Sequence, residues 1–427
     1  MKPAHVAPIG MVGGLASLSC AALVAGLTLR DGRWWEAAVH LAVLGGLLPL
    51  IYAVNHRIVP VFSRRKWQSD QLWIVQIVAA VASGAVVAAG IRLSEAWLER
   101  AGATLALMAG LLFLYQLGRL FRQPVSTPAL PLPFEYQTTV DKVAVRFAQM
   151  SALYLLAGLA IGLITSFTIP ERGRWELVWA HTMLLGFVVS MATSVTYHVL
   201  PRWTPERWKT PRLIPIHFVL SAIATLAMVI ALATDQTWLL KIGGPIQAIA
   251  LLIWGINCAP LFLKLPSASR VAMFLAFVFL GIGVSLGAAF SIDGHFGPIY
   301  RQVHAEFNVF GWACFLILGA ATYLVPRFAG SALVWPATSR VQFPVLALAI
   351  FVAGAFRRMQ NDGRGDYQVW IEASHLVMAA VIASFAIQVA MTFRARPSAP
   401  VLLTPVKRPT RPETGSPKQQ TLPRRSV

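Results

Sequence analysis

Long apolar stretches alternate with short polar loops along almost the whole chain. Twelve stretches are long enough to cross a bilayer, which takes about 20 residues each. They lie near 8–29, 36–56, 71–92, 102–121, 143–169, 175–200, 211–233, 238–263, 270–291, 302–326, 338–356 and 368–394. Gly and Pro interrupt several of them, as membrane helices tolerate. The pattern predicts an all-α, polytopic membrane protein of about 12 transmembrane helices, occupying 1–394 as one domain. The first stretch follows only Lys2 and His5 and has no small-residue cleavage site, so it reads as a retained helix. Apolar periodicity stops after 394. Residues 395–427 are rich in Pro, Arg, Lys, Ser and Thr and are expected to form a basic, disordered cytoplasmic tail.

Composition agrees with this pattern. Hydrophobic residues make up 57% of the 427, and only 12% are charged. A soluble protein carries about 25%. The formal net charge of +19 does not imply a nucleic-acid partner, because the Lys and Arg sit in alternate loops and in the tail. Arg57, Arg64, Arg65 and Lys66 share one side with Arg119, Arg122, Arg202, Arg207, Lys209 and Arg212. By the positive-inside rule, this side and both termini are cytoplasmic, in a bacterial inner membrane. The implied partner is the lipid bilayer. Cys20, Cys258 and Cys314 fall inside apolar runs without disulfide or metal spacing, and read as small core residues.

Three spans share a design. VHLAVLGGLLPLIYAVNHRIVPVF carries His40 near its start and Pro60 at its end. VWAHTMLLGFVVSMATSVTYHVLPRW carries His181 and ends at Pro201. VHAEFNVFGWACFLILGAATYLVPRF carries His304 and ends at Pro326. These are spans 2, 6 and 10, so the chain divides into three pseudo-repeated four-helix units running in the same direction. Aligned on the histidines, the units are offset by 141 and then 123 residues. Neutral imidazole is a common ligand for iron and copper, and three at similar depth point to a haem or metal site in the bundle.

The threefold four-helix arrangement, WAHTMLLGFV with YHVLPRWTPERWKTPRLIPIHF, VHAEFNVFGW with YLVPR, and VHLAVLGG together resemble subunit I of the haem-copper oxidases. Within that superfamily the likeness is to the cbb-type cytochrome c oxidases and nitric oxide reductases. The NnrS family, linked to nitric oxide stress, is a second relative, weakly echoed in AHTMLLGF. The resemblance implies haem b, one or two per chain, with a cytochrome c-type or other respiratory subunit as partner. It carries a low-spin haem ligand to His40, a copper ligand to His181 and a high-spin haem ligand to His304. Two departures stand out. Glu306 occupies the place of the second histidine of the family's His-x-His motif, and span 7 has His217 alone where the family has a His-His pair. Copper is therefore possible only at an incomplete site, and efficient oxygen reduction is not expected.

Three further features bear on a cofactor. His375, one turn after Glu372, is a replacement for the missing ligand at 306 and a partner for His40. The resemblance makes Arg357 and Arg358 holders of haem propionates, a role that suits the bidentate guanidinium. Glu306 is an ionisable group within an apolar helix, where such groups are costly and commonly functional. It is a candidate proton acceptor or metal ligand. No CxxCH attachment, phosphate loop or nucleophile triad is present. The expected function is a haem-binding membrane protein handling electrons or a diatomic ligand such as nitric oxide or oxygen, with an oxidoreductase of the haem-copper oxidase or nitric oxide reductase type as the candidate activity. The alternative is a subunit or transporter that kept the fold and lost the metals. Repeats running in the same direction argue against a carrier built on inverted repeats.

Overall fold

The computed structural model describes residues 6–27, 32–126, 132–167, 172–204, 206–293 and 298–395, with only the backbone at 298–300. The expected disordered tail lies outside the described residues, apart from Ala395, as do His5 and His295. Among the described residues there is no strand, and twelve helices are long and apolar enough to cross a membrane. They are α1 (Val6–Gly26), α2 (Arg33–Ser63), α3 (Asp70–Leu93), α4 (Ala96–Phe121), α5 (Gln137–Thr165), α6 (Arg172–Trp203), α7 (Leu213–Thr234), α8 (Thr237–Phe262), α9 (Ser267–Asp293), α10 (Arg301–Ala329), α11 (Ser339–Asn361) and α12 (Gln368–Arg394). The protein is a multi-pass membrane protein. Some helices begin earlier or run longer than their apolar cores. α5 starts at Gln137 because polar Gln137 and Asp141 find partners on α6 and its following loop.

Spans 2, 6 and 10 form the centre. Their apolar windows are 83%, 67% and 72% buried, against 33–56% for the other nine. The others wrap around them as α3–α4, α7–α8 and α11–α12 pairs, and α1 packs along α12 to close the ring. Their outward faces carry Leu153, Phe274, Leu348 and Val369, which is ordinary for a surface solvated by lipid.

The three central helices repeat one irregularity. Each starts as an α-helix, passes through a π-helical segment and returns to α. The π segments are Leu41–Leu47, Thr182–Val189 and Phe307–Ala313. Such segments carry an extra residue in the turn and are frequent at functional sites. A glycine sits inside each: Gly45 faces Gly84 of α3, Gly186 faces the Tyr154 ring of α5, and Gly311 faces the Phe279 ring of α9. Fifteen residues separate Gly45 from Pro60, Gly186 from Pro201 and Gly311 from Pro326. α2 and α10 then end alike: the residue four past the proline turns left-handed and donates its N–H to the proline carbonyl. Gly330 adopts that conformation without steric cost, whereas Arg64 holds it at φ 57°.

This shared frame corrects the alignment made on histidines. The residue immediately before each π segment, twenty before the proline, is His40, His181 and Glu306. The second offset is therefore 125 residues, not 123. His304 stands two residues earlier, in register with Trp179 of α6 and Ala38 of α2.

Candidate functional site

Two residues along a helix turn a side chain by roughly 200°, so positions two apart face opposite neighbours. The central helices use this to meet in sequence, and the interfaces they form differ in chemistry.

At the first, α2 meets α6. The His40 ring stacks on the Trp179 ring with centroids 4.0 Å apart and planes 7° from parallel. Its Nδ1 donates to the Glu36 carbonyl at 3.0 Å, and its Nε2 faces Glu176 Oε2 at 3.4 Å. Glu176 thus stands directly at the nitrogen a metal would use. Arg172 lies among the carboxylates, 3.0 Å from Glu99 Oε2 and 3.6 Å from Glu176 Oε1. A crevice lined by His40, Glu99, Arg172, Glu176 and Trp179 runs beside them.

At the second, α6 meets α10 through the equivalent positions, His181 and His304. The rings are close enough for a charge on one to act on the other. His181 Nδ1 donates to the Leu177 carbonyl at 2.8 Å, and His304 Nδ1 donates to the Gly283 carbonyl of α9 at 2.9 Å. A carbonyl only accepts, so both protons sit on Nδ1 and both Nε2 lone pairs are left over. Among the described residues neither Nε2 has a hydrogen-bond partner. Both rings lie deep in the bundle yet keep part of their surface free of neighbouring atoms. The His304 ring is seated against α9 by Gly287, where an added Cβ would meet its Cε1 at 2.7 Å. Asn308 ties the same turn by donating to the His304 carbonyl at 2.8 Å.

At the third, α10 turns toward α12, α1 and α2. Glu306 is fully buried, and the corresponding α2 residue, Ala38, is a buried methyl. Arg357 of α11 fills the centre. Its Nε donates to Glu306 Oε2 at 3.1 Å and its Nη1 to Gln302 Oε1 at 3.2 Å. Its Nη2 reaches the Ala25 carbonyl at 2.9 Å and His375 Nε2 at 3.1 Å. Glu306 Oε1 is 3.4 Å from the same His375 nitrogen. The guanidinium also lies 5.5 Å from the Trp35 ring. Because Arg357 is a donor only, His375 Nε2 must accept, and its lone pair is spent inside the protein.

The structure thus puts His181 and His304 within electrostatic reach of each other. It does not bring His375 to His40: the first belongs to the Glu306 cluster and the second to Trp179 and Glu176. The arginine pair separates. Arg357 is fully buried, while Arg358 is 65% exposed and pairs with Asp362. His217 of α7 bonds the Tyr197 hydroxyl at 2.7 Å. Among the described residues no three His, Cys, Asp or Glu side chains converge on a metal position.

Sequence reasoning missed Trp179, Glu176, Gly283, Gly287, Asn308 and Gln302. The fifteen-residue glycine-to-proline spacing would have placed Trp179 opposite His40 and Glu306 in register with His181. No sequence signal marks Gly283 as the acceptor for His304, because it lies 21 residues away on another helix.

No family model matches the chain, and no curated protein matches it. Among solved structures, a haem-copper terminal oxidase dimer aligns with a TM-score of 0.67 and 13% sequence identity, covering 94% of this chain and 86% of that one. At that identity the likeness establishes the fold: the chain has the architecture of a haem-copper oxidase subunit.

Proposed function

We propose that this protein binds one b-type haem at the α6–α10 interface, through His304 with His181 facing the same space. The observation that carries this reading is the pair of Nε2 lone pairs left uncommitted at that interface. Metal-ligating histidines characteristically donate their other N–H to a carbonyl, which fixes tautomer and ring direction and raises ligand basicity. His304 does so across helices, so α9 holds its aim. Gly287 provides the clearance that keeps the ring in place.

A haem there would supply an iron that binds a diatomic ligand or exchanges one electron. The protein's own part is to hold the imidazoles, exclude charged groups and keep the space apolar. Glu306 faces away from it, so the only acidic side chain of the α10 core does not enter the site. A copper beside the haem is not part of this reading, since among the described residues His181 is the one further imidazole at this interface and His217 is engaged with Tyr197. The basic loops favour a bacterial inner membrane with both ends cytoplasmic, and an electron donor of cytochrome c type remains the natural partner for an outer-third site.

The test is an optical spectrum and haem extraction on the purified protein, wild type and His304→Ala. A Soret band in the wild type, lost in the variant, is expected. Haem-free protein from haem-replete cells, with no Soret band after hemin is added, overturns the proposal.

A further inference from the structure

The fold implies a second haem, because in haem-copper oxidases the face of span 10 opposite the high-spin ligand holds a low-spin haem against span 2. The residues at that face of this chain do not fit one. Position 306 is a carboxylate, the matching α2 position is the methyl of Ala38, and His375, the nearest imidazole, accepts a hydrogen bond on the nitrogen that would ligate iron.

We infer that the third interface is a closed ionic plug in which the Arg357 guanidinium takes the place of a cofactor, so that the chain carries no second haem. Three observations support it. Arg357 is among the largest fully buried side chains, and every one of its three nitrogens has a protein partner. Those partners come from α1, α10 and α12, with Trp35 of α2 beside them, so one side chain joins the elements that would otherwise flank a planar ligand. The charges balance: one guanidinium, one carboxylate, and a histidine that is neutral because its Nε2 accepts. A balanced, hydrogen-bonded pair is the form in which charge persists in a membrane interior. Only Glu306 Oε1 and the His375 Nδ1 proton are left without a hydrogen-bond partner, and a carboxylate oxygen repels a propionate while a protonated nitrogen does not ligate iron.

The consequence is functional. A chain with a single centre has no internal relay, so electrons cannot queue beside the ligand site. The protein then works by binding at one site and exchanging single electrons with an external donor, not by multi-electron turnover. This step rests on the haem reading above; the plug itself does not.

Two measurements test it. The first is haem per chain, by extraction, in the wild type, His304→Ala and Glu306→Leu/Arg357→Leu. The expected values are one, none and one. Two haems per wild-type chain, or a haem lost in the double variant and kept in His304→Ala, overturns the plug. The second needs no haem: a thermal-unfolding cycle of Arg357→Leu, Glu306→Leu and the double variant in detergent. Each single change strands a buried charge, so each should lower the midpoint by several degrees or prevent accumulation. The double variant strands none and should recover most of that loss. A double variant no more stable than Arg357→Leu overturns the plug. A wild type that takes up no haem overturns the proposed function and leaves the unfolding cycle to judge the plug.

Discussion

The two faces of α10 are separated by one residue and do opposite work. On one, His304 is half-buried with a free lone pair. On the other, Glu306 is buried against Arg357, which donates to its Oε2. Both positions lie two residues apart in the same apolar helix, so sequence position alone does not distinguish a ligand site from a structural one. What distinguishes them is where the unspent hydrogen-bonding capacity lies. Around His304 the helices satisfy Nδ1 and stop. Around Glu306 they satisfy its Oε2 and every Arg357 nitrogen, through Gln302, His375 and the Ala25 carbonyl, and leave Glu306 Oε1 without a hydrogen bond.

Substitutions on the two faces should break this contrast cleanly if it is wrong. The largest difference is expected between His304→Ala and Glu306→Gln. The first should abolish haem binding, and the second should leave the spectrum unchanged because amide and carboxylate share shape. A spectral shift in Glu306→Gln comparable to that in His304→Ala would place Glu306 in the haem site. Next is the arginine pair. Arg357→Leu should cost about 3–5 kcal/mol of stability, the usual penalty for leaving one member of a buried ion pair. Arg358→Leu, at an exposed pair, should cost about 1 kcal/mol or less. Equal effects in thermal unfolding would contradict the separation of the two side chains. Smaller again is Gly287→Ala, whose new methyl presses on His304 Cε1. It should weaken haem retention by roughly tenfold, about 1.4 kcal/mol, without unfolding the protein. Retention equal to wild type, by haem transfer to an acceptor protein, would show that α9 does not hold the ring. The smallest effect belongs to His40→Ala. Losing the stack on Trp179 should cost about 1 kcal/mol and leave the haem spectrum intact. A loss of low-spin signal would instead restore His40 as a ligand.

Much of this molecule was legible in its sequence. Twelve apolar runs gave twelve helices, because a bilayer demands length and internal hydrogen bonding and little else. The central place of spans 2, 6 and 10 followed from their shared pattern. The site was only partly legible. His181 and His304 were nominated, and they lie within electrostatic reach of each other. Their register was misread because histidine was used as the marker, when the conserved internal landmarks are the glycine and proline fifteen residues apart. Arg357 and His375 were nominated for a haem, but Arg357 bonds Glu306, a contact spanning 51 residues, and His375 bonds Arg357. Such a contact depends on which way side chains turn in the packed bundle. Apolar periodicity does not encode that choice.

The π-helical segments carry one last implication, for how such a protein changes over time. Because each segment holds one surplus residue between a fixed glycine and the ligand position, residue number in that stretch acts as a rotational setting for everything upstream of it. Removing a single residue from Phe307–Ala313 would tighten the turn and swing the preceding positions by about 100° against the rest of α10. His304 would leave the Gly283 carbonyl and Glu306 would leave Arg357 in the same event. An insertion or deletion here thus displaces both faces of α10 at once, which a point substitution on one face does not.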